Sequence, residues 1–168
     1  MIDELSLIHY AKNPVEFDRN ILYPQDRYDW QAKPVGLWFS VQGEYDWNWW
    51  CRGEDFRVEY LAYEHKIELT EDANILYLID SSHLDEFSKK YPLSLGYSIF
   101  GDDTHQIDWY AVRKDYQGII IPKYLWECRF SETSMWYYGW DCASGCIWDL
   151  DAIESFECIT AVELINEI

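Results

Sequence analysis

The chain has 168 residues, a length that fits a single domain (residues 1–168) and suffices to bury a hydrophobic core. Hydrophobic residues make up 49% and aromatic residues 18% of the sequence, a composition that excludes a disordered chain. The 31 acidic residues outnumber the 13 basic ones and give a formal net charge of −18, which repels phosphate backbones and excludes ordinary DNA or RNA binding.

The first half of the chain is predicted to form strands around one short helix. Residues 5–10 form an apolar strand, and residues 35–41 form a buried one. Asp46 is placed to cap a helix over residues 47–52, because its side chain can accept a hydrogen bond from the first turn. Apolar and charged residues alternate in the second part of residues 57–69, which indicates a half-buried antiparallel strand.

The rest of the chain, from residue 74 onwards, is predicted to contain two helices and four strands. One helix begins around Ser82, which has the capping-box spacing with Asp85, and ends near Pro92. A second helix over residues 109–115 is capped by Asp108 and ended by Gly118. Strands are predicted over residues 74–79, 119–121, 145–150 and 154–162. This mixed order, in which strands outnumber helices, indicates an α+β fold with a largely antiparallel sheet and small helices.

Location and metal chemistry are constrained by what the chain lacks. No stretch is apolar over the length of a membrane-spanning helix, and residues 1–4 are acidic where a signal peptide would be basic. We therefore expect a cytoplasmic protein without membrane contacts. The odd number of cysteines, five, indicates free thiols in a reducing compartment. Cys142 and Cys146 are too few for a closed zinc site, so no metal is predicted.

Two strand ends carry polar groups that suit a ligand. His9, with Tyr10 beside it, can hydrogen-bond a ribose hydroxyl through either ring nitrogen. In the run from Gly36 through Trp38 to Ser40, the glycine allows close approach to the backbone and the serine can hydrogen-bond an amide. The alternatives are a histidine without a ligand and an ordinary core strand.

Aromatic residues are concentrated in two further segments. Trp47 and Trp50 are three residues apart and share a face of the predicted helix, where they offer a stacking platform for a planar ring. Core packing is the alternative for each of them. The segment 136–148 is rich in tryptophan and small residues, as pocket walls often are, and Asp141 is its only carboxylate. Phosphate-loop and nucleophile-elbow motifs are absent, so a Rossmann dehydrogenase or a serine hydrolase is not expected.

Taken together, His9, the run Gly36-Leu37-Trp38-Phe39-Ser40 and the tryptophan helix resemble the ADP-ribosyltransferase superfamily, in its poly-ADP-ribose-polymerase and diphtheria-toxin-like branch. The chain would be an uncharacterised bacterial or phage member of this superfamily. The resemblance implies a split, largely antiparallel sheet with NAD in the cleft. His9 would hold the adenosine-side ribose, Ser40 would lie near the nicotinamide amide, and Trp47 or Trp50 would stack on nicotinamide. Tyr10 stands where the family has a glycine.

The resemblance also implies a chemistry. A carboxylate stabilises an oxocarbenium-like ribosyl carbon as nicotinamide departs, and an unknown protein or small molecule accepts ADP-ribose. Asp141 is the first candidate for this carboxylate and Glu127 is the second. Binding of NAD without transfer is left open. Arg19, Arg27 and Lys33 would offset the charge of the pyrophosphate in this acidic chain.

A non-enzymatic acidic binding protein is the main alternative. An inhibitor or nucleic-acid mimic of the kind that phages carry against host defence would account for the charge of −18. The two hypotheses differ in one structural expectation. An NAD site requires that His9 and Ser40 face one pocket, whereas a mimic would leave them apart with no pocket between them.

Overall fold

The strands form a single sheet, in a computed structural model that describes residues 5–25, 32–93 and 106–161. The strands are β1 (Leu7–Ala11), β2 (Leu37–Val41), β3 (Tyr63–Leu69), β4 (Ile75–Tyr77), β5 (Gly118–Ile121), β6 (Ser144–Ile147) and β7 (Ile153–Cys158). Their order is β4-β5-β6-β2-β1-β3-β7, and only the β4–β5 pair is parallel. The α+β class and the largely antiparallel sheet are therefore confirmed.

Each α-helix of the described chain begins after an aspartate whose carboxylate accepts a backbone N–H of the first turn. The helices are α1 (Trp47–Gly53), α2 (Ser81–Lys90) and α3 (Trp109–Asp115). Asp46 and Asp108 are the caps that the sequence predicts. The start predicted for α2 at Ser82 is wrong, because Asp80 accepts the N–H of His83 and so places the cap two residues earlier. None of these helices is long and apolar enough to cross a bilayer.

Two other predicted boundaries differ from the structure. Gly118 does not end α3; it opens β5, where a Cβ atom would lie 2.8 Å from the carbonyl oxygen of Cys146. The strand predicted over residues 145–150 already stops at Ile147. The Asp149 carboxylate accepts the N–H of Asp151 and begins a 3₁₀ turn, Leu150–Ala152. Residues 26–31, 94–105 and 162–168 lie outside the described chain, and with them Arg27 and the predicted end of the last strand.

Buried side chains cover both faces of the sheet. Ile119 and Ile121 belong to a cluster completed by side chains of α2, α3 and the 3₁₀ segment Glu132–Gly139, including the fully buried Trp136. Ile120 points to the other face and joins a second cluster with residues of β1, β2 and β3. Because successive strand residues face opposite sides, the continuous apolar run of β5 reflects burial on both sides.

Candidate functional site

The sheet opens between β1 and β2. β1 pairs with β3 along all of its residues but with β2 only through Leu7–Val41 and Ile8–Ser40. Past this point the ring of His9 bonds to β2 in place of the backbone, with Nδ1 2.7 Å from the carbonyl oxygen of Trp38. The described strands are nevertheless joined into one sheet, so the split expected from the resemblance is limited to this opening.

A cavity of about 390 Å³ lies at the opening, within the range of small-molecule sites. It brings together six of the nine residues that the sequence selects as binding or catalytic groups. These are His9, Tyr10, Trp38, Ser40, Trp47 and Asp141. They come from β1, β2, α1 and the segment before β6, so residues far apart in the sequence meet at one place.

The other three selected residues lie elsewhere. Gly36 faces the backbone of β6, where a Cβ atom would be 2.5 Å from the carbonyl oxygen of Ile147. Trp50 does not share the orientation of Trp47 towards the cavity; its ring lies 5.8 Å from the guanidinium carbon of Arg129. Glu127 is exposed on the 3₁₀ turn Trp126–Cys128 and does not line the cavity.

His9 presents one ring nitrogen as an acceptor. Its Nδ1 faces a carbonyl oxygen, which only accepts, so Nδ1 carries the proton and donates to Trp38. Burial lowers the pKa of His9, the Trp38 carbonyl partly opposes this, and the nearby ring of His65 lowers it further. The ring is therefore neutral at physiological pH. Its Nε2 has no partner among the described residues and is free to accept a hydrogen bond from a ligand hydroxyl.

The neighbouring His65 is a structural residue. Its ring is fully buried, and its Nε2 accepts the N–H of Val15 at 2.9 Å, so Nε2 carries no proton. Its Nδ1, 3.2 Å from the carbonyl oxygen of His9, must then be the donor of that bond. The ring packs on Phe156 with a centroid distance of 5.1 Å. Both nitrogens of His65 are thus used within the fold, so of these two neighbouring histidines His9 is the one that can serve a ligand at the cavity.

The lowered pKa of His9 predicts a pH dependence of stability. Near and below about pH 6.5 the unfolded chain binds a proton at this residue more readily than the folded chain. The stabilising contribution is complete above that pH and is lost as the pH falls through the folded-state pKa. We expect the unfolding free energy, measured with urea between about pH 7 and about pH 5, to fall more steeply in the wild type than in His9→Gln. Parallel profiles would contradict this assignment.

Ser40 links β2 to the first turn of α1. Its side chain is buried, and its Oγ accepts the N–H of Trp47 at 2.9 Å, while Asp46 accepts the N–H of Trp49. The hydroxyl proton takes no acceptor among the described residues, so it can be donated to a ligand carbonyl. The ring of Trp47 packs edge-on against Phe56, with an interplanar angle of 86°.

The charge of the cavity differs from that of the whole chain. Among its described lining residues are the cations Lys33 and Arg57 and a single carboxylate, Asp141. Lys33 Nζ lies 3.6 Å from Asp141 Oδ2 and 5.5 Å from the ring centroid of Trp38. The described lining therefore carries two cations and one carboxylate, in a protein where acidic residues predominate. Arg19 does not contribute, because its guanidinium donates to the carbonyl oxygens of residues 150 and 153, away from the cavity.

Some lining residues carry no signal in the sequence. Arg57 and Tyr60 precede β3 in a segment whose pattern predicts only a strand, and the fold alone brings them to the cavity. Cys142 also lines it, but burial raises the pKa of its thiol to about 12, which makes it a poor nucleophile. Burial and the charge of Glu64 raise the pKa of Tyr10 to about 12, so its phenol stays protonated.

Comparison with known proteins adds no relative. No protein-family model matches the chain, and no match was found among curated proteins or solved structures. The likeness to ADP-ribosyltransferases therefore rests on the motif residues alone, and the function has to be inferred from the cavity. Within the described ranges, no three His, Cys, Asp or Glu side chains are grouped so that they could hold a metal ion.

Proposed function

We propose that the protein binds NAD in the cavity between β1 and β2 and transfers ADP-ribose from it to an acceptor. The observation that carries this proposal is the meeting of His9, Ser40, Trp47 and Asp141 at one cavity. The resemblance to ADP-ribosyltransferases implies a separate role for each of them in binding or cleaving NAD. The alternative of an acidic mimic requires no such cavity and predicts that His9 and Ser40 lie apart.

The nicotinamide end of NAD fits the aromatic and amide-binding part of the cavity. Trp38 and Trp47 offer apolar ring surface for a planar heterocycle. Ser40 is held in place by the N–H of Trp47 and can donate its hydroxyl proton to the carboxamide oxygen. His9 accepts a hydrogen bond at Nε2 from a hydroxyl of the nicotinamide ribose, whereas the resemblance assigns it the adenosine-side ribose. The ligand is therefore oriented by one donor and one acceptor whose positions are fixed by the backbone.

Asp141, which lines the cavity, is the carboxylate that we assign to catalysis. The bond between the ribosyl carbon and nicotinamide breaks, and its electron pair stays on the ring nitrogen, so that neutral nicotinamide leaves. The positive charge that develops on the ribose is stabilised by the Asp141 carboxylate. The nucleophile of the acceptor then bonds to the ribosyl carbon and releases its proton to solvent. Among the described lining residues no other carboxylate can take this role.

The proposal is tested by measuring nicotinamide released from NAD. We expect release by the wild type and at least about tenfold less by His9→Ala and Ser40→Ala, since each loses one hydrogen bond to the bound ligand. The matched controls are His83→Ala and Ser82→Ala, because both side chains are exposed on α2, away from the cavity. Ser40 also accepts the N–H of Trp47 at the start of α1, so Ser40→Ala could lower activity by destabilising the fold. Thermal unfolding of each variant distinguishes this effect from the loss of a hydrogen bond to the ligand.

Two results would contradict the proposal. Release that is unaffected by both cavity variants would show that the turnover occurs elsewhere. Absence of release, together with absence of NAD binding by calorimetry, would remove NAD as the ligand. The acidic binding protein would then be the better hypothesis.

A further inference from the structure

Arg57 lies at the mouth of the cavity with its guanidinium supported by two rings. The guanidinium carbon is 5.4 Å from the ring centroid of Phe56 and 5.5 Å from that of Tyr60. The residue is exposed, yet it lines the cavity. Contact with two aromatic rings restricts the side chain, whose N–H donors remain exposed to solvent.

The charge of Arg57 has no acidic partner in the described chain. The two cations that line the cavity differ in their partners. Lys33 Nζ lies 3.6 Å from Asp141 Oδ2, so a carboxylate balances its charge. No ion pair or hydrogen bond joins Arg57 to a carboxylate within residues 5–25, 32–93 and 106–161, although Glu59 is two positions along.

The backbone at this arginine is unfavourable. Arg57 has φ 48° and ψ 36°, in the left-handed region, and Asp55 has φ 50°. Within the described chain they are the residues other than glycine with positive φ. A side chain with a Cβ costs free energy in this region, and such strain is found preferentially at functional sites. The turn after α1 contains this unfavourable conformation and places Arg57 at the cavity mouth.

We propose that Arg57 binds the phosphate of a nucleotide whose base and ribose occupy the cavity. The guanidinium presents paired N–H donors that match two phosphate oxygens, and it is the lining cation that no carboxylate of the described chain neutralises. The cavity volume of about 390 Å³ is near the lower end of ligand sites, which suits one nucleotide half with its phosphate at the exposed mouth. For NAD, which rests on the function proposed above, this places the nicotinamide ribose inside and the pyrophosphate beside Arg57.

The test compares two ligands that differ only by a phosphate. Nicotinamide mononucleotide and nicotinamide riboside are titrated calorimetrically into the wild type, Arg57→Asn and Arg57→Lys. Asparagine tolerates the left-handed backbone, so the turn is kept. We expect the wild type to bind the mononucleotide about tenfold more tightly than the riboside, Arg57→Asn to lose this preference, and Arg57→Lys to keep part of it.

The matched control is Arg113→Asn, since Arg113 is also an exposed arginine stacked on a ring, 4.7 Å from the centroid of Tyr110, but lies on α3. It should retain the wild-type preference. Equal preference in wild type and Arg57→Asn would overturn the inference while NAD binding stands. If no nicotinamide ligand binds, the proposed function fails. The inference is then tested by titrating ADP and pyrophosphate into the wild type and the Arg57 variants. Binding that depends on Arg57 supports a phosphate site, and no binding of either anion overturns it.

Discussion

Replacing Asp141 by asparagine is expected to lower the rate of nicotinamide release by about a hundredfold, the scale seen when one electrostatic group that stabilises a transition state is removed. The change is nearly isosteric; it removes the negative charge, replaces one acceptor oxygen by an N–H donor and breaks the ion pair with Lys33. The affinity for NAD should change little, because the carboxylate acts on charge that develops after binding. We therefore expect the loss in kcat, with KM near the wild-type value.

Glu127→Gln is the matched comparison, because Glu127 is the second carboxylate that the sequence favours. It lies exposed outside the cavity, so its replacement should leave kcat unchanged. The variant Lys33→Gln tests whether Asp141 merely neutralises its ion-pair partner. If it does, Lys33→Gln in the Asp141→Asn background would restore activity. Loss of release in Glu127→Gln with normal release in Asp141→Asn would reverse the assignment.

Replacing Gly36 by alanine is expected to lower the free energy of unfolding by about 2–3 kcal/mol, as overpacking of a closely packed site does. The new Cβ would lie 2.5 Å from the carbonyl oxygen of Ile147 and 2.6 Å from the Sγ of Cys146. The first of these atoms belongs to the backbone of β6, a central strand, and cannot move without disturbing its pairing. In a domain of this size the change corresponds to a fall in Tm of roughly 5–10 °C.

Gly43→Ala is the matched control for this effect. A Cβ at Gly43 would meet no atom within 4 Å. Its replacement should change stability by no more than about 0.5 kcal/mol. Urea unfolding of the two variants checks the prediction. If Gly36→Ala is as stable as Gly43→Ala but binds NAD more weakly, the glycine is needed for close contact with the ligand and not for close packing against β6.

The sequence by itself determined most of the secondary structure, because its signals are local. The alternating pattern of β3 and the apolar run of β5 record which side chains are buried, and burial follows the period of the backbone. Asp46 and Asp108 were predictable as caps because a capping side chain reaches only two or three residues along the chain. The prediction of Ser82 as the start of α2 was wrong for a related reason. Ser82 has the capping-box spacing, but Asp80 lies two residues earlier and its carboxylate accepts the N–H of His83.

Only the tertiary structure decided which candidates meet. The cavity exists because β1 leaves β2 after Ile8 while staying paired with β3, and no local pattern states which strands are neighbours. Trp47 and Trp50 are equivalent in the sequence, yet one faces the cavity and the other packs near Arg129. Arg57 carries no motif, and its position depends on a left-handed turn and on long-range packing. The chemistry of each side chain follows from the identity of its residue, whereas a site depends on distances between residues that are far apart in the chain.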